Sequence, residues 1–173
     1  MWYVAQVATG QEERTLQLIR QHVGIGKGEM LKECFIPCYE VKKRIGGEWV
    51  VRTQPLFPGY LIVVTASVED LERALRAVPA FTKILGNNDM FIPLADGDIA
   101  WLDAFTQENH RVVDMSEGII EGDRIKITHG PLMNHVGWIK KIDRHKRLAY
   151  LEVQMFGRTI ETKVGLEIVR KSA

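Results

Sequence analysis

The sequence predicts an α+β fold: an N-terminal split βαβ sandwich with an antiparallel sheet, followed by a small five-stranded β-barrel. Two observations carry this expectation. Through residue 106 the apolar residues switch between two-residue and helical spacing, whereas from Gly118 only short β-type runs remain, separated by Gly, Pro, Asn and charged turns. The second observation is charge. Residues 1–116 hold 12 Lys+Arg against 15 Asp+Glu and residues 117–173 hold 11 against 7, so net −3 precedes net +4. The basic C-terminal third is the candidate nucleic-acid face.

From Trp2 to Val7 the chain reads as a buried strand, aromatic and β-branched. Thr9 and Glu12 have the spacing of a capping box, which places a helix start near Gln11. Leu16, Ile19 and Val23 line one face of that helix, and Gly24 is positioned to end it in a left-handed cap. The glycines at 24, 26 and 28 suggest a phosphate loop, but they follow a helix instead of leading into one, so they read as a flexible connection. The run from Cys34 to Tyr39 is extended, with Pro37 at an edge or irregularity. Next, Val41-Lys42-Lys43-Arg44-Ile45 and Glu48-Trp49-Val50-Val51-Arg52 flank Gly46-Gly47, the signal of a hairpin with a basic tip and arms.

Gln54 to Tyr60 is a rigid Pro/Gly-punctuated aromatic segment feeding the apolar strand Leu61-Ile62-Val63-Val64. Ser67 is placed to cap a second helix through Leu71, Leu75 and Val78, which Pro79 stops. A strand from Thr82 to Leu85 and a turn at Gly86-Asn87-Asn88-Asp89 precede a third helix, capped by Asp96 and carrying Ile99, Leu102 and Phe105 on one face. Residues 107–117 lose periodicity and read as a linker, dividing domains at 1–106 and 118–173. Barrel strands are expected at Arg124 to Ile127, Val136 to Ile142, Leu148 to Phe156, Arg158 to Val164 and Leu166 to Val169. Isoleucines at 125, 127, 139 and 142, with Leu151 and Val153, favour stable β structure there.

With 46% hydrophobic and 26% charged residues, the whole chain is expected to fold. No apolar run reaches the roughly 18–20 residues of a membrane span, and the N-terminus lacks the basic and apolar regions of a signal peptide, so a cytoplasmic, membrane-free protein is expected. Cys34 and Cys38 share one strand face and read as reduced thiols. The five histidines, 22, 110, 129, 135 and 145, show no metal-ligand spacing, and no Gly-x-Ser-x-Gly turn occurs. Asp96 and Asp98 suit a helix start better than paired catalysis. Neither enzymatic activity, nor a metal, nor a cofactor is expected.

Trp2-Tyr3-Val4, Phe57-Pro58-Gly59-Tyr60, the segment from Glu121 to Ile127 running on to Gly137, and Phe156-Gly157-Arg158 resemble, in order, the motifs of NusG-family transcription factors. The resemblance implies an NGN domain at the N-terminus and an SH3-like KOW barrel at the C-terminus. It further implies that the NGN domain binds the clamp helices of the largest subunit of RNA polymerase, with Phe57, Pro58, Tyr60, Leu85 and Ile99 as the corresponding contacts. Non-template DNA is a further implied partner, and a monomer is expected.

In housekeeping members the barrel binds ribosomal protein S10 or Rho near the KOW loop and the Phe-Gly-Arg turn. His135, Met155 and Phe156 are the matching surface here, His135 standing where an aromatic is usual. The segment from Lys140 to Arg147 carries Lys140, Lys141, Arg144, Lys146 and Arg147 beside His145. Clustered cations release phosphate counterions, and Arg and His also stack on bases. With Arg158, these form the expected RNA-binding set, and the chain is similar to the LoaP branch of antiterminators, which read a nascent RNA hairpin in operon leaders. The His-Thr-Thr run of the RfaH branch is not reproduced at Leu71-Glu72-Arg73. Readthrough of terminators is the expected outcome, with the housekeeping role as the alternative.

Overall fold

The computed structural model describes residues 1–87 and 90–169. In chain order the elements are β1 (Trp2–Val7), α1 (Glu12–His22), β2 (Leu31–Phe35), β3 (Cys38–Ile45), β4 (Glu48–Pro55), β5 (Tyr60–Thr65), α2 (Val68–Leu75), β6 (Phe81–Ile84), β7 (Gly86–Asn87), β8 (Met90–Phe91) and α3 (Asp96–Phe105). They continue with β9 (Val112–Val113), β10 (Ser116–Glu121), β11 (Arg124–His129), a 3₁₀ turn (Val136–Trp138), β12 (Ile139–Asp143), β13 (Leu148–Met155) and β14 (Arg158–Ile168). The chain forms two compact units, Met1–Pro37 with Phe57–Leu102, and Cys38–Leu56 with Asp103–Ala173.

The first unit is built on an antiparallel sheet ordered β2-β5-β1-β6, against which α1 and α2 pack. Helix and strand alternate as the periodicity requires. Ile19, Leu61, Ile62, Val63, Leu71 and Leu75 are fully enclosed, while Glu12 and Glu13 lie in the first turn of α1 and Arg20 and His22 in its last, matching the helix dipole. Three capping expectations are corrected. Gln11 is the N-cap residue and its side chain makes no cap bond. The Glu12 carboxylate instead accepts hydrogen bonds from the Gly10 amide at 3.0 Å and the Gly59 amide at 2.8 Å. At the other end, Val23 closes α1 in an extended conformation, so Gly24 supplies no left-handed cap. Ser67 precedes α2 as expected, but its hydroxyl makes no cap bond, while its amide donates to Thr65 Oγ1 at 3.0 Å. Of the turn expected at residues 86–89, Asn88 and Asp89 lie outside the described residues, and β7 pairs with β8 across them.

The second unit holds a curled five-stranded sheet ordered β11-β10-β14-β13-β12, antiparallel except for the β10–β14 pair. Its core is Leu132, Leu148, Leu151, Val153, Met155, Val164 and Leu166. Part of the stretch read as linker is ordered: β9 pairs in parallel with β3, and β10 begins at Ser116. β14 is one strand of 11 residues, not two. Val136 to Trp138 form a 3₁₀ turn, so the strand expected from Val136 begins at Ile139.

The β3–β4 hairpin lies with these C-terminal strands. Gly46 and Gly47 at its tip have φ of 59° and 85°, the left-handed values that a two-residue hairpin turn needs. Its approach to β14 is permitted by Gly165, where any Cβ would collide with the Glu40 carbonyl oxygen and lie 2.8 Å from Met115 Cγ. Thr162 Oγ1 also donates to the Leu56 carbonyl at 2.7 Å.

Candidate nucleic-acid interface

The basic segment of the second unit is a hairpin. β12 and β13 pair from Asp143↔Leu148 outward, and Asp143 Oδ1 accepts a hydrogen bond from the Lys146 amide at 2.9 Å, closing the turn. Adjacent strand residues normally face opposite sides, yet Lys140 and Lys141 are both exposed. The cause is a register shift between Ile139 and Lys141. Lys140 Nζ lies 3.9 Å from Glu152 Oε2, and Lys141 Nζ lies 5.6 Å from the Tyr150 ring centroid.

Arg144, His145 and Lys146 are exposed at the turn, but Arg147 is not part of that display. Its φ of 57° turns the side chain inward, its Cζ sits 3.5 Å over the Trp49 ring, and its Nε lies 3.7 Å from Glu167 Oε1. Arg158 is placed at the far end of β13, opposite Met155, about 23 Å along the strand from the basic turn. The structure therefore gathers five of the seven sequence-derived RNA residues on one hairpin, turns Arg147 into the packing, and leaves Arg158 apart.

A second basic segment meets this hairpin. Lys42, Lys43 and Arg44 on β3 pair in register with Val51, Val50 and Trp49 on β4. Together with His145, Lys146 and Lys163 they line a groove of about 420 Å³. Tyr39, Val41 and Leu148 also line it. Burial, then the neighbouring Tyr150 and Cys38, push the Tyr39 hydroxyl above its ordinary pKa. Lys42 is held by Glu167 Oε2 at 2.7 Å, and Arg44 lies 5.9 Å from the Trp49 ring centroid. Sequence reasoning left out Tyr39, Trp49 and Lys163. The available signal was Trp49, an aromatic on the exposed arm of a basic hairpin.

In the first unit the aromatic segment is anchored from beneath. Phe57 is only 3% exposed, its ring 6.3 Å from that of Trp101 on α3. Pro58 is exposed and Tyr60 half-buried, while Gly59, at φ 87°, donates its amide to Glu12. Leu85 and Ile99 are half-buried, the first donating its amide to the Val4 carbonyl at 2.8 Å, the second on the same helix as Trp101.

Of the residues matched to a protein-partner surface, His135 stacks on Trp138, with centroids 4.2 Å apart and planes 26° apart, and lies 5.4 Å from Phe105. The imidazole thus does an aromatic's packing. Met155 is 1% exposed and belongs to the core, so it offers no surface; Phe156 is half-buried at φ 57°. Among the described residues no group of three or more His, Cys, Asp or Glu could hold a metal ion, and no helix is long and apolar enough to cross a membrane. Cys34 is a free, buried thiol whose pKa burial pushes up to about 12.

Residues 1–102 match the family model described as "Transcription termination factor nusG". The chain is 26% identical over 175 residues to the transcription termination/antitermination protein NusG of Yersinia pestis, covering 98% of this chain and 95% of the relative. It is 26% identical over 176 residues to the NusG of Salmonella typhi, covering 99% and 96%. Among solved structures, one titled "Domain interaction in Thermotoga maritima NusG" matches with a TM-score of 0.54 at 20% identity, covering 96% of this chain and 93% of that one. That likeness concerns the fold.

Proposed function

This chain belongs to the NusG family, and on that premise we propose that it is a transcription antitermination factor whose N-terminal NGN region binds RNA polymerase and whose basic KOW sheet binds structured leader RNA. The observation that carries the reading is the meeting of two basic segments, Lys43 and Arg44 on β3 with His145 and Lys146 on the β12–β13 turn, around one groove. Cations gathered on one face gain affinity for a phosphate backbone by releasing counterions, and that affinity falls with salt. Attachment to polymerase raises the effective concentration of the barrel at the emerging transcript, so modest RNA affinity suffices. On the polymerase side, exposed Pro58 and half-buried Tyr60 supply the contact, Leu85 and Ile99 its rim, and Phe57 the support beneath, the clamp helices being the partner.

The RNA half is tested by anisotropy of a labelled RNA hairpin against the full chain. Replacing Lys140, Lys141, Arg144 and Lys146 by Ala should weaken binding and flatten its salt dependence; unchanged affinity would reject it. The polymerase half is tested by co-sedimentation with core RNA polymerase, which Tyr60→Ala should reduce.

A housekeeping role is favoured by a different observation. Met133 and Val136, on either side of His135 in the KOW loop, are 46% and 41% exposed. Exposed apolar residues beside a rigid aromatic stack suit a protein partner. Saturable binding of ribosomal protein S10 or Rho to the full chain, lost in a Val136→Asp variant, would select that reading.

A further inference from the structure

An A-form RNA stem offers phosphates and 2′-hydroxyls along a broad surface, and exposed cations in a row satisfy it without a cavity. The groove of the second unit is a different object. At about 420 Å³ it falls in the range of roughly 300–1,000 Å³ typical of pockets that enclose a small molecule. No carboxylate lines it, its floor is apolar and aromatic, and three of its cations, Lys43, Lys146 and Lys163, form no ion pair among the described residues.

Trp49 is its distinguishing feature. Trp49 as a residue remains 41% exposed even though Arg147 lies 3.5 Å over its ring. A ring braced in this way is already ordered, so stacking a second planar group on it costs little further entropy. Unpaired bases in loops and bulges are splayed out and bind by such stacking, whereas a paired base has no face to offer.

We propose that this groove receives one unpaired nucleotide from a loop or bulge of the RNA, its base against Trp49 and its flanking phosphates on Lys43, Lys146 and Lys163. The inference rests on the RNA reading above and specifies its ligand: a structured RNA interrupted by an extruded base, not a continuous stem. The β3–β4 hairpin is then part of the RNA site alongside the barrel turn.

The test compares three labelled RNA probes with the full chain: a stem carrying one unpaired adenosine, the same stem fully paired, and the bulged stem with an abasic residue in place of that adenosine. The bulged probe should bind on the order of tenfold tighter than the other two, the increment expected of one base–aromatic stack. Trp49→Ala should erase the preference, Trp49→Phe should keep it, and Lys140→Ala, outside the groove, should weaken all three probes alike. Circular dichroism checks folding; if Trp49→Ala does not fold, Lys163→Ala serves instead and should weaken the bulged probe most. Equal binding of all three probes, or a preference that survives Trp49→Ala or Lys163→Ala, overturns the groove inference while leaving RNA binding in place. Failure of the parent chain to bind any probe overturns the RNA reading itself.

Discussion

Arg147 covers the ring of Trp49 at 3.5 Å, and the same guanidinium lies 3.7 Å from a Glu167 carboxylate whose other oxygen holds Lys42 at 2.7 Å. One carboxylate therefore ties both the β3 arm and the β13 turn to β14. Glu167→Ala should leave two partly buried cations facing each other and lower stability by roughly 1–2 kcal/mol after allowance for solvent screening. Urea unfolding of parent and variant measures this. A shift in Trp fluorescence should accompany it as Arg147 leaves the indole; an unchanged midpoint would mean that the charges are screened to insignificance.

Gly165→Ala should be worse than a surface glycine substitution. The added Cβ meets the Glu40 carbonyl, which is backbone and cannot rotate away. Overpacking of this kind costs about 1–3 kcal/mol. Gly157→Ala at the β13–β14 turn is the comparison: nothing lies within 4 Å of a Cβ there, though its φ of 73° strains any side chain. Only the Gly165 variant should also lose RNA affinity, because only it moves β3.

Glu12→Ala should remove the acceptor of the Gly10 and Gly59 amides and destabilise the chain by roughly 1.5–3 kcal/mol, the usual range for hydrogen bonds to a charged group. The Phe57-to-Tyr60 segment would lose its fixed turn, so co-sedimentation with polymerase should fall in parallel. Glu12→Gln, which retains one acceptor oxygen, should recover part of both losses. Thermal melts and the sedimentation assay together distinguish this from a purely helical effect.

Alkaline stability should depend on Cys34. Its thiol pKa is raised from 9.0 to about 12 by burial, so the unfolded chain ionises first. The stabilisation is complete below pH 9.0 and is lost as pH climbs toward about 12. Tyr39, also raised by burial, acts in the same direction from 10.0 upward. Urea midpoints measured across this window should fall, and Cys34→Ala should flatten the lower part of the decline.

Most of the first unit was legible because its signals are local. Alternation and helical spacing gave β1, α1, β5 and α3 within a residue or so, since each needs only one buried face, whereas α2 ends at Leu75, three residues short of the expected Val78. The misses share a cause as well. Gly165 looked like a strand break because glycine usually interrupts strands, but here it remains in β14 and admits the backbone of β3. Ser116 and Glu117 looked like linker, and no strand was expected before Arg124, because β10 is defined by pairing with β11 and β14, partners that lie further along the chain.

The candidate site divides the same way. The cations from Lys140 to Arg147 were visible as a cluster in one dimension, and the sequence by itself determined that they exist, that they sit in a basic C-terminal third, and that a glycine-tipped basic hairpin lies elsewhere. Only the tertiary structure decided that the two basic segments face one groove, that Trp49 stands at its wall, and that Arg147 braces the ring while Arg158 lies apart. Charge and periodicity are properties of neighbours in sequence. A groove is made by side chains from distant strands, and their meeting depends on a close backbone approach at Gly165 and a shared carboxylate at Glu167.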